Sequence, residues 1–128
     1  MLVTGIQGHG AEPQKRPKSN PEIWLRTELF FGTNRANPGS VSEPEFNGFL
    51  ENEVTPRFAD GLTLLTGYGQ FRNSQGELVR EKSYVVILFY PRQVQDANRH
   101  IQEIRESYKR QFGQESVLRA DSVSIISF

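Results

Sequence analysis

Arg26 and Glu28, two residues apart in a bulky segment of this 128-residue chain, are an oppositely charged pair of the kind that binds or polarises a ligand. Alternate residues of a strand share a face, so both side chains would emerge on one side. Their plainest use is a mutual salt bridge, worth little if exposed. Arg57 and Asp60 flank Phe58 in the run from Thr55 to Gly61. Arg57 suits a carboxylate partner, from Glu28, Glu81 or an anionic ligand. Asp60 followed by Gly61 suits a turn. Glu115 and Arg119 follow a helical stretch and are placed to join such a network. An ion network with a structural role explains these charges more simply than acid–base catalysis, which needs a carboxylate perturbed in a cleft.

Other chemistries lack their residues. His9 and His100 have no second histidine at ligand spacing, so neither calls for a metal, and no cofactor is implied. Gly67-Tyr68-Gly69 has neither the following helix nor the lysine of a phosphate loop, and no Gly-x-Ser-x-Gly elbow occurs. The absence of cysteine removes disulfides, thiolate zinc sites, iron–sulfur clusters and cysteine nucleophiles. Lys and Arg equal Asp and Glu at 15 each, so no global field draws the chain to nucleic acid or to an anionic membrane. No apolar run approaches the roughly 18–20 residues of a transmembrane helix. As written the chain reads as cytoplasmic, or periplasmic if a native leader is missing. A hydrophobic fraction of 36 % over this length supports one folded domain with its own core.

The elements that position these residues follow from patterning. Residues 1–21 hold Gly5, Gly8, Gly10, Pro13, Pro17 and Pro21 and a small basic cluster of Lys15, Arg16 and Lys18, which reads as a flexible tail before a domain over 22–128. Ile23 to Phe31 reads as a strand ending at Gly32. Thr33 to Val41 is a loop containing Asn37-Pro38-Gly39. Ser42 and Glu45 have the spacing of a capping box, and Val41 with Phe46 that of a hydrophobic staple. Phe46, Phe49, Leu50 and Val54 then form one helical stripe, limited by Pro56. Leu62 to Arg72 reads as a second strand, in which Gly67 and Gly69 suggest a bulge or a close approach to the backbone. Asn73 to Gly76 is a hairpin turn. Glu77 to Tyr90 is a third strand, whose continuously apolar Tyr84 to Tyr90 predicts a central position with both faces covered. Ala97, Ile101, Ile104, Tyr108 and Phe112 line a second helix over about 94–112, closed by Gly113. Ser122 to Phe128 alternates as a last strand.

The order predicts an α+β, ferredoxin-like β-α-β-β-α-β fold with two helices on one face of a four-stranded antiparallel sheet. Two helices shield a single face. The other would carry Trp24, Arg26, Glu28 and Phe30, joined by Tyr68, Gln70 and Arg72 or by Glu81 and Ser83 according to register. Aromatics among paired charges are what an interface or ligand floor contains. Trp24 and Phe30 are therefore interface candidates, with a homodimer as the expected partner; the alternative is a small enzyme or binder of an anionic small molecule, using Arg26, Arg57 and Glu81 in a charged cleft beside the sheet. No nucleic-acid or membrane partner is expected.

Several segments together resemble the bacterial family known as domain of unknown function 3574: Trp24 to Gly32, Glu53 to Thr63, Gly69-Gln70 with Arg72, Arg80-Glu81, and Tyr108 to Arg119. The resemblance spans about Trp24 to Phe128. Ala59 departs from the proline usual there, which loosens the turn. Members of the family often carry a secretion or lipoprotein leader, which this chain as given lacks. The family has no assigned activity. Its pattern singles out Arg26, Glu28, Arg57, Asp60, Gln70, Glu81, Glu115 and Arg119 as candidate ligand-binding residues.

Overall fold

The computed structural model describes residues 20–35 and 39–128. The expected tail up to residue 19, with His9 and the basic cluster, lies outside the described residues, as does Asn37-Pro38. The elements are β1 (Glu22–Gly32), α1 (Glu43–Phe49) continued by a π-helical turn (Leu50–Val54), β2 (Thr63–Arg72), β3 (Leu78–Pro91), α2 (Ala97–Phe112) and β4 (Leu118–Ile126). The strands form one antiparallel sheet in the order β2-β3-β1-β4. This is the ferredoxin-like arrangement, with the split β-α-β order that the patterning implies.

Local chemistry starts and stops these elements. The Glu45 amide donates to Ser42 Oγ at 3.2 Å and the Ser42 amide donates to Glu45 Oε1 at 2.9 Å, a complete capping box. Those bonds, with Arg35 beside it, draw the Glu45 carboxyl from its ordinary 4.5 down to about 2. The stripe of α1 runs into a π-helical turn, where the Thr55 amide reaches back to the Leu50 carbonyl at 2.8 Å just before Pro56. α2 begins at Ala97, three residues later than its periodicity suggests, because Asp96 takes a left-handed conformation (φ 68°). It ends where Gly113, at φ 64°, returns its amide to the Lys109 carbonyl, a conformation that favours glycine.

The core lies between the helices and one face of the sheet. Leu29 and Phe31 from β1 and Tyr84, Val86, Leu88 and Tyr90 from β3 meet Phe46, Phe49, Ile101, Ile104, Tyr108 and Phe112. Phe31 contacts Phe46, Phe49 and Tyr108 edge-on, and Phe46 stacks on Tyr84 at 4.2 Å. Each such ring contributes about 1.5–3 kcal/mol by leaving water. Thr27, buried on the same face, bonds Tyr90 Oη and Asp121 Oδ1, both at 2.7 Å, so this buried hydroxyl is satisfied.

Three expectations change. β2 pairs with β3 in unbroken register from Thr63 opposite Ile87 to Arg72 opposite Leu78, so Gly67 and Gly69 mark neither a bulge nor a close backbone approach. β4 starts at Leu118, four residues before its alternation suggests, since an edge strand needs no continuous apolar run to pair. β3 is central, but helices cover only its even-numbered side chains. Phe89, on the other face, is 39 % exposed.

Candidate functional site

Register decides which side chains share the open face. Trp24 stands opposite Pro91, Arg26 opposite Phe89, Glu28 opposite Ile87, Phe30 opposite Val85 and Gly32 opposite Ser83. On the outer side β1 meets β4, with Leu118 beside Phe30 and Ser122 beside Arg26. On the far side β2 contributes Leu65, Gly67, Gly69 and Phe71 next to Val85, Ser83, Glu81 and Val79. The face is therefore a broad apolar surface with a charged centre. Leu65, Phe71, Phe89, Leu118 and Phe128 are all exposed, and Trp24 is half-buried with its ring edge-on to Phe128 at 5.7 Å.

At the centre, Arg26 binds Glu28 through both Nε and Nη2 at 2.8 Å. Its guanidinium carbon also stands 5.2 Å from the centre of the Phe89 ring. The strand spacing that places the two charges on one side thus makes the expected ion pair, and the neighbouring strand adds an aromatic support. Toward one edge, the Glu81 side chain stretches across Gly32 and accepts the Asn34 amide at 2.8 Å. A Cβ at Gly32 would stand 2.8 Å from Glu81 Oε2, so the bare glycine is what lets this carboxylate lie flat. On the covered side, the Tyr108 hydroxyl donates to the Gly32 carbonyl at 2.6 Å, and burial together with the Glu81 charge pushes its phenol well above the ordinary range.

The structure brings Arg26, Glu28, Glu81, Trp24 and Phe30 onto one face and leaves the other candidates elsewhere. Arg57 lies on the helical side, where it binds the Glu53 carbonyl at 2.8 Å, the Glu53 carboxylate at 3.2 Å and Glu103 at 3.0 Å. Its partners are thus neither Glu28 nor Glu81, because the sheet stands between them. The Arg57 bond is the largest cause holding the Glu103 carboxyl below its ordinary value. Arg119, on the helix-side face of β4, binds Asp121 at 3.0 Å and Asn98 at 2.8 Å rather than joining Arg57. Asp60 and Glu115 are exposed in turns and bond no described residue. Gln70 accepts Arg80 Nε at 2.7 Å on the face of the hairpin opposite Glu81. Tyr68 and Arg72 share that side, so the register places Glu81 and Ser83, not these, on the open face. His100 meets the Phe58 ring edge-on, and no three metal-ligating side chains cluster among the described residues.

Sequence reasoning overlooked Phe89, Leu65, Phe71 and Leu118 as parts of this face. Counting by twos from Glu81 and Ser83 would have found Phe89. Leu118 was hidden by the late start assigned to β4. Among the described residues no helix is long and apolar enough to cross a membrane.

Two solved structures share the fold. One is a phage SAM lyase in complex with S-methyl-5'-thioadenosine, at TM-score 0.62 and 16 % identity, covering 82 % of this chain and 90 % of that one. The other is a phage SAM lyase in its apo state, at TM-score 0.59 and 17 % identity, covering 91 % of this chain and 97 % of that one. At such identities the likeness concerns the architecture. No curated protein sequence matches. A family model matches residues 26–128, nearly the whole described domain, and the chain belongs to that family, the protein of unknown function DUF3574.

Proposed function

We propose that this chain is an assembly domain that pairs with a second copy of itself through the open sheet face. The observation that carries the reading is the central strand β3, whose Val85 and Phe89 lie on the face away from the helices, Phe89 exposed and Val85 half-buried, while Ile87 between them is already buried. An antiparallel strand with one solvated face alternates apolar and polar residues, whereas the unbroken apolar run Tyr84 to Tyr90 is the pattern of a strand sheltered on both sides. The Arg26–Glu28 pair favours a second copy over an unrelated partner. A two-fold axis near this pair sets each Arg26 against the partner's Glu28, so one patch is its own electrostatic complement. Four strands at about 4.8 Å spacing and about 30 Å of length give a flat footprint of about 600 Å², which side-chain relief brings near the ~800 Å² per partner of a stable interface.

Light scattering on the eluting protein tests the reading. At high micromolar concentration the expected mass is twice the 14.6 kDa of one chain, and Phe89→Asp is expected to return it to one. A clean monomer of the unaltered chain at that concentration removes the reading.

A second reading, a domain that binds a small anionic molecule beside the sheet, draws support from a cationic concavity on the β2–β3 hairpin. The structural neighbour solved with S-methyl-5'-thioadenosine adds that this architecture accommodates a small molecule in another protein. The cleft of this reading lies apart from Arg57, which Glu53 and Glu103 hold on the helical side.

A further inference from the structure

The β2–β3 hairpin carries an uncompensated charge on the face that helices cover elsewhere in the sheet. Register sets Tyr68 opposite Lys82, Gln70 opposite Arg80 and Arg72 opposite Leu78. The even-numbered side chains of β3 point to the helical side, but here the ladder lies outside the core. Tyr68 is 78 % exposed, and Gln70, Arg72 and Arg80 are also exposed.

Among the described residues most cations outside the hairpin are neutralised. Arg26, Arg35, Arg57, Arg99, Lys109 and Arg119 each bind a carboxylate. Among the described residues Arg72, Arg80 and Lys82 bind none; Arg92, Arg105 and Arg110 also bind none, but only the first three share one strand ladder. What they do bind holds them in place without cancelling their charge. Arg80 Nε donates to Gln70 at 2.7 Å, which leaves its terminal nitrogens without a described partner. Arg72 donates to the Gly76 carbonyl at 2.7 Å across the turn. The Lys82 ammonium stands 5.3 Å from the centre of the Tyr84 ring. Tyr68, Gly69, Gln70, Arg80 and Lys82 line an open concavity of about 510 Å³, within the ~300–1,000 Å³ of small-molecule sites.

We infer that this concavity binds a phosphorylated compound of mononucleotide size, its phosphate on Arg80 and Lys82 and a planar ring against Tyr68. The inference rests on the small-molecule reading above and is independent of the pairing of sheet faces. Arg80 and Lys82 are alternate residues of one strand, about 6.6 Å apart along it. A phosphate monoester brings nearly two negative charges and several acceptor oxygens to such a pair, more than a lone carboxylate offers, and a guanidinium fork meets it bidentately. The exposed phenol ring offers the flat, sequence-tolerant stacking platform that planar heterocycles take. A nucleic-acid strand fits less well, because the cations end with the hairpin and the whole chain is neutral.

Titration of the full chain with AMP and UMP, followed by calorimetry and by the amide shifts of the hairpin, tests the inference. Saturable binding of both is expected, with adenosine and inorganic phosphate each weaker by about tenfold or more. The double substitution Arg80→Gln with Lys82→Gln is expected to weaken AMP by about tenfold, and Tyr68→Leu to weaken it severalfold while leaving inorganic phosphate unchanged. All three residues lie outside the core, and an unchanged melting temperature verifies that each variant folds. Inorganic phosphate binding as tightly as AMP, with no effect of Tyr68→Leu, overturns the inference and leaves the anionic small-molecule reading standing. No saturable binding of any of these probes up to about 10 mM overturns both. A twelve-residue single-stranded oligonucleotide binding about a hundredfold tighter than AMP also overturns it, in favour of nucleic acid.

Discussion

The two faces of β1 are built from similar residues and meet different fates. Leu25, Thr27, Leu29 and Phe31 face the helices, and the last three are sealed from water. Trp24, Arg26, Glu28 and Phe30 face the other way and stay half-exposed around an ion pair. Aromatic content does not separate them, since each side holds large rings. What separates them is the helical layer, which brings Phe46, Phe49 and Tyr108 onto one side only. The lesson is that a strand in a two-layer fold makes two surfaces at once, and the uncovered one inherits apolar character that calls for its own partner.

The sharpest break of this comparison is Phe31→Ala on the covered side. It removes a ring with no exposure and three aromatic contacts, and the expected loss is about 3–5 kcal/mol in urea unfolding. A loss below about 1 kcal/mol would show that the helices do not seal this face. Gly32→Ala comes next. Its new Cβ meets the Glu81 carboxylate at 2.8 Å, the far end of a flexible side chain that can swing aside, so the expected cost is about 1 kcal/mol, that of the lost bond to the Asn34 amide. Adding Glu81→Ala to the same chain is expected to cost little more, so the double-mutant cycle shows coupling of about that size.

Phe89→Ala on the open side is expected to change the stability of the isolated chain by less than about 1 kcal/mol. Its effect appears instead in association, as dissociation about tenfold easier in sedimentation equilibrium. An equal effect on both would mean that the open face is part of the monomer's core. Ser42→Ala loosens the helix that covers the other face and is expected to cost about 1 kcal/mol, read from the urea midpoint.

The smallest effect is the pH dependence of the same cap. The Glu45 carboxyl lies at about 2 in the folded chain against an ordinary 4.5. The folded value is the lower one, so the stability it confers is complete above about pH 4.5 and is lost as pH falls toward 2. Melting curves over that window are expected to slope more in the unaltered chain than in Glu45→Gln, with salt reducing the difference because the group is exposed.

Most of the fold was legible in the chain. Ser42 with Glu45, the stripes of both helices and the alternation of Ile23 to Phe31 are local signals, because caps and amphipathic periods depend on residues a few positions apart. The candidate residues were less legible. Arg57 sits among charges that tempt a catalytic reading, yet it turns to Glu53 and Glu103. A long side chain finds its partner across elements, and no spacing along the chain states which element lies nearest. Gln70 and Glu81 suffered the same ambiguity, since a register shift of one residue exchanges the faces of a whole strand.

Sequence alone determined the order of strands and helices, the sidedness of β1 and the place of the Arg26–Glu28 pair, all consequences of backbone periodicity. Tertiary structure alone decided that β3 lies beside β1 with Phe89 under Arg26, that Glu81 crosses Gly32, and that Arg80 and Lys82 are left without carboxylates. These depend on strand register and on distance through space, which are settled only when the packed sheet and its helices find their common lowest free energy.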